Sequence, residues 1–593
     1  MKLAFYINSS ISTPAWLHGL VGKMTHVSMA LTAATALCLT TSCSGILDTD
    51  SELVEFEEDN HIDTPQDSVY SVMGIIYNMQ KIADRTVILG EMRGDLLTPT
   101  DHASAALKDV ANFNIGTDNT YNAIADYFAV INNCNFYLSH VDSLLTIRNK
   151  KVFADEVAAV RTYRAWAYLE AAKVYGSLPL VTTPIVNEHQ AQEALKKQPS
   201  TLTDICNFFI DDLKNLVNVD LPNYGTISGM SSQQFFIPVR VLLGDLCLWA
   251  GRYQESATYY HDYLTRTGHE VPTGTSRVAW ASNSNRFENV SNGYSSSVVS
   301  TDGGTSAECS SYIPMETSAF DGINSDLKNI YNSTELNNYY YQVTPSEAMR
   351  SLSARQVYCL EYHLSDTKID TLYSPKEKLA NPLYAGDLRL YANYSHHVNK
   401  QSSFSKYSSY RQTLQKINSY GINLCRRQLI YLHFAEALNR AGFPESAFCI
   451  LKYGLCNDNI SKYISEKERE AVGSLLDFNS NVFTTANTQG IHSRGCGDSP
   501  ANAFYVLPEP ATELASRADT VAYQMPLVED LIVDEEALEG SFEGQRFYDL
   551  MRVALRRNDP NYLADPVSRR DGERNDALYQ KLLNTTNWYL PKQ

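Results

Sequence analysis

At residues 239–264 the chain reads VRVLLGDLCLWAGRYQESATYYHDYL, and this stretch decides the fold class. Apolar residues recur at helical spacing on both sides of the glycine-containing segment 251–253, which predicts two helices joined by a tight turn. Gly244 and Tyr260 occupy positions where a tetratricopeptide repeat has a small or an aromatic residue. Gly244 should therefore let the two helices approach closely. Such pairs bury their apolar faces only by stacking on further helices.

A second stretch of the same kind, LIYLHFAEALNRAGFPESAFCIL, lies at 429–451, with Ala435, Gly442 and Ala447 in the small positions. Other helical patterns begin at Thr64 and Thr201 and cover about 121–145 and 153–175. The sequence therefore predicts a mainly α protein with a tetratricopeptide-like helical scaffold at about 64–266 and 425–460.

The segment between the two parts of this scaffold, about 267–424, has another character and is called the insertion below. It is rich in Ser, Asn, Gly and Tyr and lacks long helical periodicity. A linker in a compact domain is rarely so long, so we expect functional irregular structure with short strands. Binding residues are often carried on loops above a rigid scaffold, and we expect the insertion to face the ligand.

The N-terminus predicts export and lipidation. The apolar run at 27–39 follows Lys23 and has the length of a signal peptide, being too short to span a bilayer comfortably. Small residues then precede Cys43, as in a bacterial lipobox. We predict a signal peptide at 1–42, a lipid on Cys43, and an acidic tether at 43–63. An ordinary secretory signal with an incidental Cys43 is the alternative, and the sequence leaves open whether translation begins at Met1 or Met24.

Charge and motifs exclude several classes of function. The 593-residue chain carries a net charge of −18 with a pI near 5.2, which disfavours nucleic acid as a partner. It has no phosphate-binding loop, no HExxH, no GxSxG and no CxxC pair. We therefore predict no catalytic residue, no metal ligand and no cofactor. A glycoside hydrolase stays open because paired carboxylates suffice for that chemistry, as does a scaffold that binds only protein.

Four motifs resemble the SusD/RagB family of nutrient-binding lipoproteins. They are RTYRAWAYLEAAKVYGSLPLV (161–181), CRRQLIYLHFAEALNRAG (425–442), EGSFEGQRFYDLMR (539–552) and WYLP (588–591). The resemblance covers the chain from 64 to 593, with 461–593 as a C-terminal family segment. It departs from the family at Leu388, where Pro is frequent. It implies a SusD-like fold, a place on the cell surface at the outer membrane, and a SusC-like TonB-dependent transporter as partner. The implied ligand is an oligosaccharide or, as in RagB-like members, a peptide.

The third motif also predicts ion pairs. Arg546 and Arg552 each lie three residues from Asp549, which is pairing distance on a helix. A network that holds the fold is the favoured interpretation, and Glu436 is interpreted in the same way.

Candidate ligand residues come from two segments. In the insertion, Trp280 lies near Asn283 and Arg286, and aromatic rings of this kind stack on sugars while amides and guanidinium groups bind hydroxyls. The alternative is that Trp280 anchors its loop to the scaffold. The resemblance adds 90–114, the stretch after the first helix. The remaining candidates are Arg93, Asp95, Asp101, Tyr294, Tyr312 and the run Tyr339-Tyr340-Tyr341.

Overall fold

The computed structural model describes residues 62–227, 229–271, 276–282, 287–294, 308–317, 320–333, 341–365, 368–375, 386–399, 409–417 and 421–592. Helices dominate, as predicted. They are α1 Pro65–Met92, α2 Ala105–Ala111, α3 Ile124–His140, α4 Ala154–Tyr175, α5 Glu188–Lys196, α6 Leu202–Leu213, α7 Val239–Trp249, α8 Tyr253–Leu264, α9 Leu327–Tyr331, α10 Glu347–Arg355, α11 Arg389–Asn393, α12 Arg427–Arg440, α13 Pro444–Lys452, α14 Asn457–Tyr463, α15 Glu466–Val472, α16 Ser493–Cys496, α17 Arg517–Gly540, α18 Arg546–Arg557, α19 Asn561–Ser568 and α20 Asp576–Leu582.

The strands are short and pair two by two within the described residues. They are β1 Leu97–Pro99, β2 Thr146–Ile147, β3 Lys150–Lys151, β4 Ser177–Pro179, β5 Pro199–Thr201, β6 Thr226–Ile227, β7 Met230–Ser231, β8 Val278–Ser282, β9 Phe287–Asn292, β10 Cys309–Pro314, β11 Val343–Pro345, β12 Tyr358–Ser365, β13 Lys368–Ser374, β14 Tyr394–Asn399, β15 Ser409–Leu414 and β16 Gly421–Arg426.

Helix starts follow local chemistry. The Thr64 side chain accepts a hydrogen bond from the backbone N–H of Asp67, and Pro65 occupies the first turn of α1. Thr201 and Asp204 form a reciprocal capping box at the start of α6. These caps satisfy N–H groups that the helix itself leaves unpaired, which is why the sequence predicted them correctly.

The two tetratricopeptide-like pairs, α7 with α8 and α12 with α13, pack directly on one another through α8 and α12. A Cβ atom on Gly244 would lie 2.4 Å from the Tyr260 ring, so only glycine allows this approach of α7 and α8. The Ser256 hydroxyl donates a 2.8 Å hydrogen bond to the Gly244 carbonyl in the same contact. The insertion therefore interrupts the stack in sequence but not in space.

The helical stack extends from α1 through α3, α4, α6, α7, α8 and α12 to α17. The C-terminal segment joins it, because α17 contacts α12 and α13, and α18 contacts α1. One large apolar core runs through all of these helices. None of the described helices is both long and apolar enough to cross a membrane.

The insertion is attached to the scaffold in two ways. The first attachment is β10, which contacts α1 and pairs antiparallel with β16, the strand that leads directly into α12. A separate small core contains Val278, Trp280, Tyr294, Tyr358, Leu360, Leu388 and Ala392.

The second attachment is a buried ion-pair network centred on Glu539 at the end of α17. Glu539 contacts Arg389 at 3.1 Å, Arg426 at 2.5 Å and Arg494 at 3.2 Å, and Glu308 pairs with Arg426 and Arg494. Burial alone would raise the pKa of Glu539, but the three guanidinium groups outweigh it and hold the pKa below its usual range. Removing any one of the arginines would leave these buried carboxylates with less compensating positive charge.

The predicted pairs of the third motif are confirmed in part. Arg552 contacts Asp549 at 3.0 Å and Glu436 at 2.6 Å, so this half of the interpretation holds. The pairing of Arg546 with Asp549 is wrong. Arg546 instead binds the Asp95 carboxylate through Nε at 2.6 Å and Nη2 at 3.0 Å, because its side chain points towards the loop after α1.

Candidate ligand-binding surface

The stretch after α1 meets the insertion through a short antiparallel pair. Leu97 to Pro99 in β1 pairs with Val343 to Pro345 in β11. The backbone N–H of Thr100 continues this pairing with a 2.8 Å hydrogen bond to the Gln342 carbonyl. The stretch after α1 and the insertion, each of which carries predicted ligand residues, thus meet at this pair of strands.

Two of the predicted ligand residues in this stretch are buried and already bonded. Arg93 donates to the Leu89 carbonyl at 2.8 Å, the Trp588 carbonyl at 2.8 Å and the Tyr548 hydroxyl at 2.9 Å. It therefore fastens the C-terminal motif to the end of α1. Asp95 is held by Arg546, whose charge outweighs burial and lowers the pKa of the carboxyl.

Beyond these anchors, an exposed and partly exposed set of side chains follows β1 and β11, and we call it the β1–β11 strip. At one end, His102 packs edge-on against the Tyr341 ring with centroids 5.9 Å apart, and Asp101 beside it is exposed. The Ser104 N–H donates to the Gln342 side chain at 2.9 Å. The members of the strip are Asp101, His102, Tyr341, Gln342, Arg350 and Tyr394.

The other end of the strip is built around Tyr394. Its hydroxyl lies 3.4 Å from the Thr344 hydroxyl, and the Arg350 guanidinium lies 5.4 Å from its ring centroid. Thr344 also donates to the buried Gln412 amide at 3.0 Å. This amide in turn donates to the Tyr331 and Val343 carbonyls, so the base of the strip is fixed to the core.

The strip combines the two kinds of group that sugar recognition requires. Tyr341 and Tyr394 offer partly exposed rings, which can cover the apolar face of a pyranose. Asp101, Gln342 and Arg350 offer acceptors and donors for hydroxyl groups.

Three other predicted ligand residues, Trp280, Tyr294 and Tyr312, do not join this surface. Trp280 is 4% exposed, Tyr294 0% and Tyr312 3%, so their rings are covered by protein. Tyr294 donates to the Glu539 carbonyl at 3.2 Å, and Tyr312 packs edge-on against Phe235. The burial of Trp280 fits the alternative in which it anchors its loop. The remaining candidates lie outside the described residues, and they are Asn283, Arg286, Tyr339, Tyr340 and the lipid-attachment candidate Cys43.

Comparison with known proteins rests on structure. No protein-family model matches the chain, and no curated protein matches it. A SusD superfamily protein from Bacteroides vulgatus is 14% identical, covers 87% of this chain and 91% of its own, and gives a TM-score of 0.53. One from Bacteroides fragilis is 14% identical, with coverage of 88% and 95% and a TM-score of 0.53. The chain has the SusD-like fold. A SusD-like carbohydrate binding protein from B. vulgatus is also similar, at 15% identity, 82% and 83% coverage and a TM-score of 0.50.

Most of the strip was missed at the level of sequence. Of its members only Asp101 and Tyr341 were candidates, and His102, Gln342, Arg350 and Tyr394 were not. The SusD-like fold joins them through the pairing of β1 with β11, two strands of three residues each, whose paired residues are at least 244 positions apart in the chain. So short a strand carries no periodic signal that could have predicted this pairing.

Proposed function

We propose that this protein binds a carbohydrate at the cell surface and delivers it to a SusC-like TonB-dependent transporter in the outer membrane. The observation that carries the proposal is the β1–β11 strip, where aromatic and polar groups meet on the SusD-like fold. One structure of similar fold is described as a SusD-like carbohydrate binding protein. Lipid attachment at Cys43 and the transporter partnership are parts of the same proposal and come from the sequence.

Calorimetry with a panel of starch-like, fructan and host-glycan oligosaccharides tests ligand binding. Tyr341→Ala should weaken binding of the best ligand several-fold, because stacking on one ring contributes on the order of 1 kcal/mol. Arg350→Ala should also weaken it several-fold, because a charged hydrogen-bond donor to the ligand is lost. Tyr70→Ala is the matched control. Tyr70 is 75% exposed on α1, about 33 Å along the helix from its C-terminal end at 1.5 Å per residue.

Three results would contradict the proposal or its details. Binding of peptides but of no glycan would support the RagB-like alternative. Release of shorter glycans during incubation would indicate a hydrolase. Glycan binding that is unchanged in both strip variants would move the site away from the strip while leaving the function intact.

A further inference from the structure

Three side chains from three helices converge in the helical half of the molecule, apart from the β1–β11 strip. They are His433 on α12, Glu536 on α17 and Asp549 on α18. One ring nitrogen of His433 and one oxygen from each carboxylate all lie within 4.8 Å of one another. Glu536 and Asp549 are buried, and the His433 side chain is 18% exposed, which leaves a route from solvent.

Glu536 is the least satisfied of the three. It is 3% exposed, and neither of its oxygens has a hydrogen-bond partner within the described part of the chain. Its nearest cation is Arg552, 3.5 Å from Oε1, which is too long for a good hydrogen bond. That guanidinium already donates to Glu436 and Asp549 at 2.6–3.0 Å. A buried carboxylate in this position must gain a proton or a cation.

His433 has the carboxylate partner that metal-binding histidines usually have. Its Nδ1 lies 3.0 Å from a carboxylate oxygen of Asp245, and the Tyr260 hydroxyl donates to the same oxygen at 2.5 Å. A proton on Nδ1 shared with Asp245 leaves the lone pair on Nε2. A carboxylate behind the imidazole fixes the ring and increases the basicity of the ligating nitrogen.

The surrounding charges also favour a cation. With Glu536 ionised, carboxylates outnumber guanidinium groups in this connected cluster, so an additional positive charge would be balanced. The carboxylates are Asp245, Glu436, Glu529, Asp530, Glu536 and Asp549, and the guanidinium groups are Arg440, Arg552, Arg556 and Arg557.

We propose that His433, Glu536 and Asp549 bind one divalent transition-metal ion, with Asp245 supporting the histidine. One imidazole and two carboxylates suit Zn²⁺, and also Mn²⁺ and Fe²⁺. Bonds of about 2.0 Å bring tetrahedral ligands to about 3.3 Å from one another, so the three helices would be drawn together slightly. The ion would clamp α17 and α18 to the tetratricopeptide-like pair and would act structurally.

The test uses the full chain, stripped with a chelator and then given Zn²⁺. Elemental analysis after gel filtration should find one Zn²⁺ per chain, and thermal unfolding should move to a higher temperature with Zn²⁺ than with chelator. Glu536→Gln keeps the size of the side chain but removes its charge. It should weaken Zn²⁺ binding at least tenfold and abolish the metal-dependent shift, without lowering the unfolding temperature of the metal-free protein.

His189→Ala, on the exposed side of α5, is the control for adventitious surface binding and should leave both readouts unchanged. Co²⁺ in place of Zn²⁺ should give visible absorption bands that Glu536→Gln removes. Absence of stoichiometric Zn²⁺ in the unaltered protein would overturn the proposal. Equal binding and equal thermal shift in Glu536→Gln would do the same.

Discussion

At the scale of single residues, Glu91 shows how packing can change the chemistry of a side chain. Glu91 is fully buried near the end of α1, where its Oε1 accepts a 2.9 Å hydrogen bond from the Gly544 N–H. Burial raises the pKa of Glu91 to about 7, although backbone hydrogen bonds and Lys416 act in the opposite direction. The folded protein therefore holds a proton that the unfolded chain releases at lower pH.

Replacing Glu91 with Gln should remove this dependence on pH. Because its pKa is raised in the folded state, Glu91 contributes its full stabilisation below about pH 4.5, and this contribution is lost as pH rises through about 7. The free energy of unfolding of Glu91→Gln, compared with that of the unaltered protein, should therefore rise by on the order of 2–3 kcal/mol as pH increases from 4.5 to 7.5. Denaturant unfolding across this range measures it. Glu188→Gln, at an exposed site, is the control, and a pH-independent difference for Glu91→Gln would contradict the prediction.

Trp280 gives a second prediction at this scale. Its ring fills the small core of the insertion, and its backbone N–H donates to the Tyr358 hydroxyl at 2.9 Å. Trp280→Ala should therefore lower the free energy of unfolding of this region by about 3 kcal/mol. Hydrogen exchange in 358–360 should accelerate, whereas Tyr523→Ala at an exposed site on α17 should change nothing. Slow exchange retained in Trp280→Ala would argue against an anchoring role.

At the scale of helices, Gly244 controls the contact of α7 with α8. Gly244→Ala would place a methyl group 2.4 Å from the Tyr260 ring, and such overpacking should destabilise the protein by about 1–3 kcal/mol. Gly74→Ala, in the exposed middle of α1 with no atom within 4 Å, should instead stabilise it by up to about 1 kcal/mol. Thermal unfolding of the two variants compares them directly, and changes of the same sign would refute the packing argument.

The same scale shows what the sequence could and could not predict. Caps such as Thr64 and the pair of α7 with α8 depend on residues close together in the chain, so spacing predicts them. Arg546 and Asp95 are separated by 451 residues, and nothing in the spacing around Arg546 selects that partner over Asp549. The site proposed at His433, Glu536 and Asp549 is hidden for the same reason, because its ligands lie on three separate helices.

At the scale of the whole molecule, the proposed lipid decides where the protein resides. Two or more acyl chains are needed for stable anchoring, and an acidic chain of net charge −18 gains no help from an anionic membrane. Cys43→Ala should therefore move the protein from the outer-membrane fraction to the soluble fraction. Cys38→Ala, within the apolar run, should not. Continued membrane association of Cys43→Ala would contradict the lipidation prediction.

The last prediction concerns the transporter, and it follows from the division of the molecule into a helical scaffold and an insertion. If the β1–β11 strip binds the ligand, we expect the helical scaffold to form the contact with the transporter. On α1, Tyr70 and Tyr77 lie seven residues apart and are 75% and 48% exposed, an apolar pair suited to a protein contact.

Capture from detergent-solubilised membranes of the native host should bring down a large β-barrel protein with the unaltered chain. A double variant, Tyr70→Glu with Tyr77→Glu, should capture much less of the β-barrel protein than the unaltered chain, because two new charges would be desolvated at the interface. Arg350→Ala, which alters only the strip, should retain capture while losing ligand affinity. The opposite result, with capture lost on changing Arg350 and kept on changing α1, would mean that the insertion, and not the helical scaffold, faces the transporter.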